Sequence, residues 1–91
     1  MKYTLIFTEH YEKIERRFLR RHPDMAARYF KILTILQHDP FHPSFRLHSL
    51  SGRLAGLYSV SITLQYRITL DLVIDAHRVI LIDVGTHDEV Y

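Results

Sequence analysis

The sequence predicts an α+β domain: an N-terminal strand, a helical hairpin, then a three-stranded antiparallel meander, forming one twisted sheet packed on the helices. Three observations predict it. From Gly56 to Leu72 apolar and polar residues alternate with period two, Tyr58, Val60, Ile62, Leu64, Tyr66, Ile68, Leu70 and Leu72 against Ser59, Ser61, Thr63, Arg67, Thr69 and Asp71, the pattern of sheet with one buried face. Between Glu9 and His38 apolar residues recur at helical spacing in two blocks separated by His22-Pro23-Asp24. Val79 to Val84 is an apolar run broken only by Asp83, suited to an internal strand covered on both faces.

Tyr3 to Thr8 is rich in aromatic and β-branched residues and reads as the first strand, with Thr8 placed to cap the following helix. Helix one is expected over Glu9–Arg21, its apolar side formed by Tyr11, Ile14, Phe18 and Leu19. Lys13, Arg16, Arg17, Arg20 and Arg21 fall on its outer faces. A solvated charged face and a patch turned toward RNA are both open readings of those arginines. Pro23 suits the first turn of helix two, which is expected to continue to His38 and to lie deepest against the sheet through Ala26, Ala27, Phe30, Leu33, Ile35 and Leu36. Asp39-Pro40 stops it, and the segment through Phe41-His42-Pro43-Ser44-Phe45 to Gly52 reads as loop.

The alternating stretch is too long for one strand, so it folds back over Thr63–Gln65, although no Gly, Asn or Pro marks a turn there. A three-residue loop keeps the faces matched: Val60 opposite Ile68 on the core side, Ser61 opposite Arg67 on the other. Asp75-Ala76-His77 is the next turn. Agreement of the apolar faces then requires Leu70 and Leu72 to pair with Ile80, Ile82 or Val84, which puts His87 opposite Arg67 or one step diagonal to it.

The totals bound the function. Ninety-one residues, 47 % of them hydrophobic, make one domain over 1–91 that buries roughly 60–65 % of its unfolded surface. The absence of cysteine excludes disulfides, a thiolate nucleophile and a zinc–sulfur site. The apolar run before Glu9 is too short for a signal peptide or a membrane span, so the expectation is a cytoplasmic protein with no membrane partner. Net charge is +2, but 12 Lys and Arg are joined by seven His, so a polyanion such as nucleic acid is a suitable partner.

No HExxH, facial-triad spacing or acid-rich cluster favours a metal, and no Gly-rich phosphate loop, GxSxG elbow or carboxylate pair is present. What remains is a sheet face carrying Arg67, Ser59, Ser61 and His87, with His48 upstream and Tyr91 at the terminus. These groups suit chemistry on a phosphodiester. Cleaving RNA through its own 2′-hydroxyl needs a base at the hydroxyl, a cation at the phosphate and an acid for the departing 5′-oxygen. Arg67 can hold two phosphate oxygens at once, imidazoles serve as acid or base, and Tyr91 can stack on a base or help move a proton. The structural alternative is also open: Arg67 paired with Asp71 or Asp83, and His48 capping a turn.

The chain also resembles a known family. Arg46-Leu47-His48-Ser49-Leu50-Ser51-Gly52, Leu54-Ala55-Gly56-Leu57-Tyr58-Ser59-Val60, Tyr66-Arg67-Ile68 and Asp83-Val84-Gly85-Thr86-His87-Asp88-Glu89-Val90-Tyr91 are similar to landmarks of the RelE/ParE superfamily of bacterial toxin–antitoxin toxins. Gly-Thr-His before a terminal aromatic resembles the YafQ branch in particular. The resemblance spans essentially the whole chain and implies the fold of the RelE-like microbial RNases. It implies a ribosome-dependent mRNA endonuclease, or mRNA interferase, that inhibits translation without metal or cofactor. Its partners would be the ribosome and mRNA, a cognate antitoxin, and operator DNA only through that antitoxin. Position by position, Arg67 matches the phosphate-stabilising arginine, His87 the C-terminal acid/base, Tyr91 the terminal aromatic and His48 the upstream histidine. Ser59 and Ser61 stand where RelE-type members carry lysines, and Gln65 lies where YafQ members have a second sheet histidine, so Arg46 and Arg53 are the candidates for supplying RNA-binding charge. The competing expectation from the same superfamily is a ParE-like toxin that binds DNA gyrase and cleaves nothing.

Overall fold

The computed structural model describes residues 2–86 and Asp88. Five strands form one sheet in the order β1-β5-β4-β3-β2, where β1 is Thr4–Phe7, β2 His48–Ser49, β3 Tyr58–Ser61, β4 Tyr66–Val73 and β5 Arg78–Thr86. Two helices, α1 (Glu9–Arg21) and α2 (Ala26–His38), lie between β1 and β2 in the chain. This is the α+β class that the patterning predicts, with one strand more. β2 escapes a periodicity reading because it is two exposed polar residues long, held by antiparallel pairing of His48 with Ser59 and Ser49 with Tyr58.

Local chemistry sets the helix ends. The Thr8 hydroxyl accepts from the Tyr11 amide at 3.0 Å, satisfying one of the first-turn donors that a helix leaves open. Acids at Glu9 and Glu12 and bases at Arg20 and Arg21 complement the helix dipole. Pro23–Met25 forms a single 3₁₀ turn before α2 begins. On α2 the inward stripe is Tyr29, Ile32, Leu33 and Leu36; Phe30 of the expected stripe is 50 % exposed and Ala27 faces out. The aromatic and β-branched residues around Phe30 are apolar on more than one side, so spacing alone selected the wrong edge of the stripe.

The hairpin forms as the alternation requires, Ser61 opposite Arg67 and Val60 opposite Ile68. Its turn has a marker that composition hides. The Thr63 hydroxyl accepts from the amides of Gln65 and Tyr66, both at 3.1 Å, adding to the backbone bonds from the Ile62 and Thr63 amides to the Tyr66 carbonyl. Leu64, assigned to the buried parity, sits at the tip and is 83 % exposed.

The β4–β5 register differs from the expectation. Leu70 pairs with Leu81 and Leu72 with Val79, while Ile68 pairs with Val84, and a bulge between Thr69 and Leu70 absorbs the shift. Val79 and Leu81 are therefore buried on one side of the bulge and Val84 on the other. Val79 to Ile82 is apolar at every position and carries no parity, so it accepts both the phase that Asp83 sets opposite Thr69 and the shifted phase of Leu81 and Val79. β5 is also the sheet's second strand, paired in parallel with β1 through Leu5–Val79 and Ile6–Ile80.

The core joins both helices to the sheet: Tyr11, Phe18, Tyr29, Ile32, Leu33 and Leu36 against Val60, Ile62, Ile68, Leu70, Val79, Leu81 and Val84, with Phe45 buried beside them. Within it the Tyr11 and Tyr29 hydroxyls bond at 2.7 Å, and Tyr29 donates to Glu15 at 2.6 Å. Burial pushes both phenols well above their ordinary value, with the neighbouring Glu15 charge adding to the effect. Above about pH 10 an unfolded tyrosine releases a proton that the folded state retains, so stability falls as pH rises past that point, by about 1 kcal/mol per pH unit for each phenol. Thermal melts from pH 8 to 11.5 are expected to be flat at first and then to decline. Tyr29→Phe should flatten the decline and, by stranding the Tyr11 hydroxyl, cost about 1–3 kcal/mol at neutral pH. An unchanged alkaline slope in Tyr29→Phe would contradict this account.

Candidate active site

Arg67 anchors the face of the sheet turned away from the helices. Strand pairing flanks it with Ser61 on β3 and Gly85 on β5. One guanidinium nitrogen, Nη1, donates to the Ser61 hydroxyl at 3.1 Å, and the side chain is half-buried. Nε is buried with no partner among the described residues. On the other flank stands Gly85, which has no side chain of its own to set beside the guanidinium. Among the described residues the arginine is steered by this one hydroxyl, which takes one of its five donors.

Ser59 shares the face of Arg67, but it is fully buried, as is Thr69 beside it, and neither hydroxyl has a partner among the described residues. The expected open row of hydroxyls thus reduces to Ser61, which is only partly covered; Ser59 packs inside the sheet surface instead of lining it. Thr69, on the polar parity of the alternation, and Gly85, opposite Arg67, belong to this face without having been candidates for the site, and Asp83 pairs with Thr69. Their signal was there: both follow from the period-two pattern once the β4–β5 register is known.

His48 does not sit in a loop as expected. It pairs with Ser59 as part of edge strand β2, and its Nδ1 lies 3.1 Å from the carbonyl oxygen of Arg46. A carbonyl only accepts, so Nδ1 carries the proton in this bond and Nε2 of the neutral ring keeps its lone pair. The carbonyl is presented by an unusual backbone: Arg46 has φ 51°, the left-handed region, following the 3₁₀ turn Pro43–Phe45 whose Phe45 is buried. A non-glycine residue there is held by its surroundings at a cost of order 1–2 kcal/mol. From ideal sheet spacing, two strands across and two residues along, His48 and Arg67 are roughly 12 Å apart at Cα. Both side chains are long enough to reach a phosphodiester lying between them.

Arg46 and Arg53 are exposed. Arg53 lines a cleft of about 340 Å³ with His48, Ser49, Leu50, Ser51 and Leu54, and it is engaged by another group. His87 and Tyr91 lie outside the described residues, and the position opposite Arg67 belongs to Gly85. Among the described residues no group of three or more acidic or histidine side chains could hold a metal ion, and no helix is long and apolar enough to cross a membrane.

No family model and no curated protein matches the sequence. Solved structures do match the fold. YafQ from Escherichia coli strain BL21(DE3) superposes with a TM-score of 0.82 at 15 % identity, over 99 % of each chain. YafQ in the E. coli DinJ–YafQ toxin–antitoxin complex gives 0.81 at 17 % identity, over 100 % of this chain and 99 % of that one. The toxin–antitoxin complex RelBE2 from Mycobacterium tuberculosis gives 0.71 at 18 % identity, over 96 % and 100 %. The chain thus shares its fold with the toxin YafQ and with the RelBE2 complex's matching chain.

Proposed function

We propose that this chain is the toxin of a type II toxin–antitoxin pair and acts as an endoribonuclease on ribosome-bound mRNA, using the substrate's own 2′-hydroxyl. The observation that carries the reading is Arg67, a half-buried guanidinium that donates to Ser61 on the sheet face turned from the helices, on a fold shared with the toxin YafQ. In this reading Arg67 holds the scissile phosphate and stabilises the charge that builds on its oxygens. His48, with Nε2 as acceptor, takes the 2′-hydroxyl proton; His87 gives a proton to the leaving 5′-oxygen; Tyr91 stacks on a base. Exposed Arg46 attracts the RNA backbone. A cognate antitoxin neutralises the chain, and operator DNA is reached only through it.

Expression of the chain alone in a bacterial host is expected to arrest growth, and co-expression of the product of an adjacent small gene to restore it. Mapping mRNA ends on programmed ribosomes, beside a gyrase supercoiling assay, tests the mechanism. New 5′ ends within the decoding site support the nuclease. Loss of supercoiling with intact mRNA would replace it by the gyrase-binding alternative, and harmless full-length protein at high level would sink the toxin reading.

A further inference from the structure

The proposed chemistry leaves the arginines of α1 unused, and two of them line a cleft that the sheet face does not include. Arg17, Arg21 and His22 gather with Ile14 and Phe18 around the end of β5 at Val84 and Gly85. Arg17 and Arg21 are one turn apart on the same side of the helix, straddling Phe18, which is buried in the core. Neither forms an ion pair among the described residues, although like charges at this spacing repel.

His22 is held more firmly than a chain break requires. Its amide donates to the Phe18 carbonyl at 2.8 Å, its ring packs 4.6 Å from Tyr66 and 5.1 Å from Phe18, and its Nδ1 bonds the Tyr66 hydroxyl at 3.2 Å. That leaves Nε2 as the remaining ring nitrogen. Tyr66 precedes Arg67 on β4 and points to the opposite, helix-side face, and Gly85 is the cross-strand partner of Arg67, so the cleft and the phosphate-holding arginine lie on the two faces of one corner of the sheet, and a strand seated on both must turn round that corner.

Size and charge define what the cleft accepts. Its volume is about 20 Å³, room for one water-sized group, which admits a phosphate oxygen and excludes a nucleobase. The helix C-terminus contributes roughly half a negative charge here, but two full guanidinium charges outweigh it. We propose that this cleft is a second phosphate seat, in which Arg17, Arg21 and the anchored His22 hold one backbone phosphate of the RNA strand whose scissile phosphate lies on Arg67. The proposal rests on RNA being the substrate, as argued above, and it deepens that reading with a contact on α1.

The test uses the full chain and a short 2′-O-methyl RNA, which binds without being cut. Binding by fluorescence anisotropy from 50 to 200 mM salt is compared between the parent and Arg17→Gln/Arg21→Gln, whose exposed substitutions leave the core and its circular dichroism unchanged. Loss of one phosphate contact should reduce the slope of log affinity against log salt by about 0.7. In the parent, inorganic phosphate should also shift the Gly85 amide and His22 ring resonances, and the double variant should not respond. An unchanged slope, or phosphate shifts that persist in the variant, would overturn the seat and leave these arginines to an acidic protein partner or to solvent. RNA binding with the expected slope change but no cleavage by the parent would instead remove the nuclease reading and keep the seat.

Discussion

Arg67→Ala is expected to lower single-turnover cleavage of ribosome-bound mRNA by on the order of 10²–10³, the effect of removing one electrostatic contact to a charge that develops in the transition state. The fold should survive. Arg67 lies on the face away from the helices, and among the described residues its side chain bonds Ser61, at 3.1 Å, itself only partly covered. Deleting it also removes a buried Nε that has no partner among the described residues, so the net stability change should stay within about 1 kcal/mol. Lys should restore activity only in part, because a point charge does not reproduce the two-pronged grip of a guanidinium on phosphate. Ser61→Ala should fall between parent and Arg67→Ala, since it frees the guanidinium to wander without removing its charge. Cleavage by Arg67→Ala at the parent rate, or a variant that no longer folds, would show the side chain to have another role.

The parts of this molecule that were legible in its sequence are those where one residue pattern allows one physical solution. The Thr8 cap, the limits of α1 and the Ser61–Arg67 rung all follow from local rules, because a helix must satisfy its first-turn donors and a hairpin with one buried face tolerates no slip. The parts that were not legible depend on a third element. β2 exists only because β3 offers it an edge, so His48 reads as loop until the sheet is assembled. Ser59 looks like an open-face hydroxyl, yet between His48 of β2 and Thr69 of β4 it is fully buried. The shift at Thr69/Leu70 falls between Asp83 and Leu81 of β5; Val79 to Ile82 is apolar at every position and accepts either phase, and the same strand also packs on α1 and pairs with β1. The candidate site inherits this division. Arg67 was placed by alternation alone, its glycine flank by tertiary register, and the α1 cleft by the meeting of a helix end with a strand end that no local pattern announces.

His87→Gln is expected to have the largest single effect, a fall of roughly 10²–10⁴ in single-turnover cleavage with ribosome binding retained. The motivation is chemical and sequence-based: the reaction needs an acid for the 5′-oxygen, and the Gly85-Thr86-His87 ending resembles the catalytic ending of the YafQ branch. It follows Gly85, which the sheet sets opposite Arg67. Gln keeps size and a hydrogen-bond donor but carries no transferable proton, so a residue that merely contacts phosphate would tolerate the change and a general acid would not. The pH profile separates this histidine from His48. Imidazoles titrate near ~6.5; an acid must be protonated and a base must not, so the parent should show a bell between about pH 5.5 and 8.5. His87→Gln should lose the falling alkaline limb, because no acid is left to deprotonate. His48→Gln should lose the rising acidic limb, because the Nε2 acceptor left by the Arg46 bond is gone. If His87→Gln cleaves within a few-fold of the parent and keeps both limbs, the proton for the leaving oxygen comes from elsewhere, and Tyr91 is the next group to replace.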